Sequence, residues 1–95
     1  MAAFVIVDVD VQDKERYEEY KKLTPGSLVP FGGRFVVRGG KGETLEGTWT
    51  PRRLVILEFP TMERAREWWG SETYGPAKAL RQSCARTEMV LVEGV

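Results

Sequence analysis

Three segments of this chain are apolar at successive positions instead of alternate ones, and that pattern limits the folds open to it. They are Phe4-Val5-Ile6-Val7, Leu54-Val55-Ile56-Leu57 and Met89-Val90-Leu91-Val92. Their short length and β-branched density mark them as strands. An antiparallel sheet with one wet face alternates apolar and polar residues. Here Phe4, Ile6, Leu54, Ile56, Met89 and Leu91 have one parity, and Val5, Val7, Val55, Leu57, Val90 and Val92 the other. Helices can cover only one of those faces. Leaving the second in water would forgo ~1.5–3 kcal/mol per large aliphatic side chain, on the order of 10 kcal/mol in all. That rivals the whole stability of a small domain, about 5–15 kcal/mol. A second copy of the chain is the simplest cover, so a homodimer through sheet faces is expected. The alternative is a monomer with an apolar patch rimmed by Asp8, Glu58 and Glu93.

Between the strands the spacing changes to a helical one. Asp13 reads as an N-cap with Glu15 in the first turn, and Tyr17, Tyr20 and Leu23 recur on one side. Thr24-Pro25 is expected to break that helix and cap a short second piece, ended by Pro30 and Gly32-Gly33. Residues 34–38 and 43–49, separated by Gly39-Gly40-Lys41-Gly42, read either as a hairpin or as one strand interrupted by a glycine bulge. Thr61 caps a helix carrying Met62, Ala65 and Trp68/Trp69, which Gly70 stops at a C′ position. After a connector from Ser71 to Gly75, Pro76 opens another helix with Ala77, Leu80 and Cys84 in register. This order gives an α+β chain: a split βαβ arrangement, an antiparallel sheet with its helices on one face.

The 95 residues suit one domain, 1–95, with no room for a second core. Lys+Arg and Asp+Glu are both 14, so no global field draws nucleic acid or an anionic membrane. No stretch has the length of a membrane span, the N-terminus has no leader pattern, and a lone Cys84 suits a reducing compartment. A cytoplasmic location is expected, with no nucleic-acid or membrane partner. The absence of histidine removes Ser-His-Asp and Cys-His catalysis, proximal-His haem and the usual zinc sites, and no metal or cofactor is expected. Carboxylate, Tyr, Trp, Arg, Lys and one thiol remain.

Several stretches, taken in order, carry a family resemblance: "FVIVDVDV", "GGRFVVRGG", "LEGTW" followed by Arg53, "LEFPTMERAREWW" with "SETYGPAKALR", and "LVEG". Along essentially its whole length the chain resembles the DUF1330 family of the dimeric α/β-barrel (ferredoxin-like) superfamily. The resemblance implies a homodimer with two sheets packed face to face. It implies no activity, since the family is defined without one. Neighbouring families include cofactor-free monooxygenases, muconolactone isomerases and haem enzymes, the last at odds with a chain lacking histidine.

Two groups of residues are candidates for a small-molecule ligand site. Trp68 and Tyr74, with Trp69 and Ser71 beside them, could line a cleft between helix and sheet, as an aromatic pocket does in the related monooxygenases. The structural alternative makes one Trp core and the other a surface cover. Arg38, Glu46 and Arg53 lie on segments expected to be neighbours, where Arg could clamp an anionic substrate or hold a carboxylate as a base. Cross-strand ion pairing is the structural alternative. Arg81 either closes over the same pocket or meets solvent. Asp8 and Glu58, on strands expected to run parallel, either share a closed interior or mark the edge of the sheet. Gly39-Gly40-Lys41-Gly42 lacks the Ser/Thr and helix of a phosphate loop, and Cys84 reads as core. The expectation is a dimeric small-molecule protein, acting without a cofactor by oxygenase- or isomerase-like chemistry on an aromatic or acidic metabolite. The competing expectation is a non-catalytic dimeric binding or structural module, distinguished by a solid interior where the first needs a pocket of a few hundred Å³.

Overall fold

A computed structural model describes residues 1–95. Strand β1 (Ala3–Val11) leads into helix α1 (Lys14–Leu28), a short 3-10 turn (Val29–Phe31) and β2 (Arg34–Arg38). After a long connection come β3 (Leu54–Phe59), α2 (Met62–Trp69), α3 (Gly75–Cys84) and β4 (Ala85–Glu93). The sheet has the order β2-β3-β1-β4, with every neighbouring pair antiparallel. This is the ferredoxin-like split βαβ topology, with an open sheet edged by β2 and β4.

Every helix lies on one face of that sheet. Val5, Val7, Val9, Val55, Leu57 and Phe59 point into a core with Tyr17, Tyr20 and Leu28 of α1, Ala65 and Trp68 of α2, and Ala77 and Cys84 of α3. The molecule is a slab measuring 35 × 34 × 17 Å, one sheet and one helix layer thick. The opposite face carries Phe4, Ile6, Leu54 and Ile56 half-buried, with Val90 at 59% and Val92 at 43% exposure. It has no cover within the chain.

Pairing register corrects the assignment of the last strand. Met89 lies opposite Val7 and Leu91 opposite Val5, so both join the helix-covered face and Val90 and Val92 the bare one. Parity in residue number does not carry from strand to strand, because the register is set by the connection between them. Asp8 and Glu58 are not on parallel strands either. β1 and β3 are antiparallel, with Asp8 opposite Leu54 and Glu58 opposite Phe4. Glu58 pairs with Arg34 across β2–β3.

Two further expectations are overturned. Helix α1 does not break at Thr24-Pro25 but runs through it to Leu28. Thr24 and Ser27 face the core and turn their hydroxyls back onto the helix, donating to the carbonyls of Tyr20 (2.9 Å) and Thr24 (2.7 Å). Residues 43–49 form neither a hairpin strand nor an interrupted one. Residues 39–53 make a connection with left-handed glycines at Gly39 (φ 69°) and Gly47 (φ 87°). It is tied down by side chains instead of a ladder: Trp49 Nε1 and the Arg52 amide each donate to the Asp8 carboxylate at 2.9 Å. At the other caps, Asp13 and Thr61 accept from the Arg16 and Arg64 amides, while Gly70 is the C-cap itself with φ −92°, not a left-handed C′.

The Asp8 latch makes the connection sensitive to acid. The hydrogen bond from Trp49 holds the Asp8 carboxyl below its ordinary range, with the Arg52 and Arg53 amides adding to it against partial burial. A carboxyl depressed on folding stabilises fully above its unfolded value of 3.8 and loses that contribution as pH falls through the lower folded value. The difference in emission between the parent chain and Trp49→Phe is expected to be constant from neutrality down to about pH 4 and to change below it. A difference spectrum that shifts near neutrality would count against the latch.

Candidate functional site

Three aromatic residues form the centre of the site. Tyr20 comes from α1, Trp68 from α2, and Tyr74 stands immediately before α3. Trp68 and Tyr74 stack with ring centroids 4.0 Å apart, and Phe59 of β3 lies 5.3 Å from Trp68. Trp68 is 0% exposed, and its Nε1 donates to Ser27 Oγ at 3.1 Å. Tyr20 and Tyr74 share a hydrogen bond of 2.9 Å between their hydroxyls, and Arg81 Nε donates to the Tyr74 hydroxyl at 3.3 Å. Ser71 places Tyr74: its hydroxyl donates to the Trp68 carbonyl and accepts the Tyr74 amide. Arg81 is thus not a solvent residue, at 4% exposure.

Beside this cluster stand two more guanidiniums. Arg53, the residue before β3, lies 5.5 Å from the centre of the Tyr17 ring and against Gly39, where a Cβ would collide with it. Arg38 closes β2 over the Phe35 ring at 4.3 Å. A bulge between Phe35 and Val37 turns Arg38 to the helix side. Its Nη2 donates to the Lys21 carbonyl at 2.8 Å. That carbonyl is free for a reason written in the sequence, because Pro25, four residues on, has no amide hydrogen to offer it. The helix-interior proline therefore creates the acceptor that anchors Arg38. Pro25→Ala is expected to restore the helical bond and raise stability by about 1–2 kcal/mol in urea unfolding, while releasing Arg38. A destabilised variant would refute that account.

No ion pair in the chain uses Arg38, Arg53 or Arg81. Arg53 Nε is buried without a hydrogen-bond partner, and so is Thr87 Oγ1. The two belong to one cross-strand row, since Val9 pairs with Thr87 on one side and its amide donates to the Arg53 carbonyl on the other. Buried polar atoms of this kind are rare in folded proteins and call for a partner. The phenols do not supply negative charge. Burial pushes Tyr17 up, against the pull of Arg53, and burial and Tyr74 push Tyr20 well above the usual phenol range. Both remain protonated at neutral pH. Burial also raises the Cys84 thiol, which packs in the core.

The space at this site is small. A crevice of about 20 Å³ runs between α1 and the sheet, from Arg38 and Lys21 past Arg53 and Tyr17 to Trp68 and Met89. That is room for about one water molecule, well short of the few hundred Å³ expected of a pocket that encloses a ligand. Trp68, Arg38 and Arg53 line it; Tyr74 lies behind Trp68 and supports it. Glu46 is not brought to the group. It lies exposed in the 39–53 connection, lining a separate basin of about 590 Å³ with Glu43, Trp49 and Arg52. The strand that would have carried Glu46 toward Arg38 does not form. Sequence reasoning passes over Tyr17, Tyr20 and Thr87, because helical or strand spacing alone marks them as core. Pro25 inside a helix is the available signal for Arg38.

The family described as "Domain of unknown function (DUF1330)" matches residues 2–95. No curated protein sequence matches the chain. The fold is similar to that of RPA0582 from Rhodopseudomonas palustris, a protein of unknown function, at TM-score 0.80 and 17% identity over 99% of this chain and 82% of that one. A dimeric ferredoxin-like protein of unknown function from Jannaschia sp. CCS1 has TM-score 0.72 and 15% identity over 99% and 100% of the two chains. SnoaB, a cofactor-independent oxygenase from Streptomyces nogalater, has TM-score 0.63 and 14% identity over 99% and 92%. At these identities the likeness is one of fold.

Proposed function

We propose, from the premise that this chain belongs to the DUF1330 family, that it is a cytoplasmic homodimer binding the acidic group of a small metabolite in each protomer. One observation carries the reading: Arg38 and Arg53 line a crevice beside the aromatic cluster with no carboxylate in its lining, and Arg53 Nε is buried and unpaired. A guanidinium N–H shut away from water with no acceptor is costly, and an anionic ligand oxygen supplies the acceptor together with a counter-charge. Protonated phenols and guanidiniums offer no base at neutral pH. The site therefore suits a ligand that arrives already ionised. If turnover occurs, the guanidiniums would stabilise developing negative charge on the substrate, as cofactor-free oxygenase- or isomerase-like chemistry requires.

The dimer is supported by the bare apolar face and by the description of the Jannaschia protein as dimeric. Two such faces packed together remove Ile6, Ile56, Val90 and Val92 from water in both copies at once. The site test is a calorimetric titration with benzoate against its methyl ester. Benzoate is expected to bind and the ester to fail, and Arg53→Gln is expected to weaken benzoate by at least tenfold, an ionic hydrogen bond being worth roughly 1.5–3 kcal/mol. Equal affinity for acid and ester would sink the reading. The alternative is a non-catalytic dimeric module, favoured by the 20 Å³ crevice. It expects neither compound to bind.

A further inference from the structure

A crevice of about 20 Å³ takes the oxygen of an acidic group and little else, so the rest of any ligand must lie elsewhere. A second space adjoins it on the same side of the sheet. This groove, about 470 Å³, runs between α2 and the edge strand β4, walled by Val5, Ala65, Trp69 and Leu91. Arg66 is the only charged residue along it. Crevice and groove share two walls, Trp68 and Met89. The cross-strand pairs Val7–Met89 and Val5–Leu91 make their floors continuous.

The two shared walls differ in freedom. Trp68 is fixed by its stack on Tyr74, its contact with Phe59 and its bond to Ser27. Met89 has no such restraint. It is half-buried, unbranched, and held only by apolar contact. A thioether side chain changes rotamer at little cost and accommodates varied apolar shapes. Met89 is therefore the one shared wall that could move to join the charged crevice to the apolar groove.

We propose that Met89 is a movable partition and that the ligand is an amphipathic carboxylic acid. Its carboxylate lies at Arg53 and Arg38, and its hydrocarbon body passes Met89 into the groove between α2 and β4. This rests on the anion site proposed above and specifies its ligand class. Burying hydrocarbon is worth about fourfold in affinity per methylene when complete, and roughly two- to fourfold along an open groove.

The test is calorimetry with straight-chain acids from butanoate to dodecanoate, with their methyl esters as controls and circular dichroism to verify that each variant folds. Affinity is expected to rise roughly two- to fourfold per methylene until the groove is filled. Met89→Ala, which removes the partition, is expected to tighten the long acids several-fold relative to butanoate. Leu91→Glu, which places a charge in the groove, is expected to reduce dodecanoate to the affinity of butanoate. Acids that bind with no dependence on length would overturn the groove assignment while leaving the anion site intact. So would a length dependence that survives Leu91→Glu. Acid binding lost in Arg66→Gln but kept in Arg53→Gln would put the carboxylate in the groove, and would overturn the anion site at Arg53 and this inference together. Acids that bind no better than their esters, at any length, would remove the anion site and this inference together.

Discussion

Trp68→Ala is expected to lower the unfolding free energy by about 3–5 kcal/mol, the range for truncating a buried aromatic side chain. Trp68 has no exposed surface, stacks on Tyr74, touches Phe59, and caps the Ser27 hydroxyl with its indole hydrogen. Truncation removes all of these at once and leaves Ser27 and Tyr74 facing a void. A small domain has about 5–15 kcal/mol to lose, so the variant should sit near the edge of folding at physiological temperature. Urea unfolding followed by circular dichroism measures the change. Trp68→Phe keeps part of the stack and should cost less, since the cavity is smaller. A loss under about 1 kcal/mol for Trp68→Ala would mean that the aromatic centre does not hold the layers together.

The second large effect concerns association. Ile6 and Ile56 are directly paired at the middle of the helix-free face. In a two-fold interface each substitution is counted twice, so Ile56→Lys would set two lysines in the middle of the contact. Burying unpaired charge costs several kcal/mol per group, which predicts dimer affinity weaker by at least a thousandfold. Light scattering at micromolar concentration should find the parent chain dimeric and Ile56→Lys monomeric. Because the substituted face is the one without helices, the folded core should persist by circular dichroism. A monomeric parent would contradict the dimer directly. A variant that stays dimeric would show that association uses another surface.

The density of Val, Leu and Ile in β1, β3 and β4 is visible in the amino-acid sequence alone, and it places apolar side chains on both faces of the sheet. The capping residues Asp13 and Thr61 are equally visible, because a cap is a local hydrogen bond within a few residues. Segment 43–49 is not legible in this way. Its composition allows a strand, yet Trp49 and Arg52 find their partner in Asp8, more than forty positions earlier. Nothing in a local window reports such a partner.

The site divides along the same line. Trp68 and Arg53 can be named from their residue types, but their company cannot. Arg38 reaches the crevice through a bulge in β2 and a carbonyl that Pro25 leaves open in α1. Residue parity alone puts Met89 on the wrong face, and only its register with Val7 places it beside Trp68. Local chemistry, read along the chain, determines most of the strands and helices and shows that both faces of the sheet carry apolar side chains. Only the tertiary structure decides which charges meet which aromatics. Side-chain convergence depends on register and packing between distant segments, and those are properties of the whole fold.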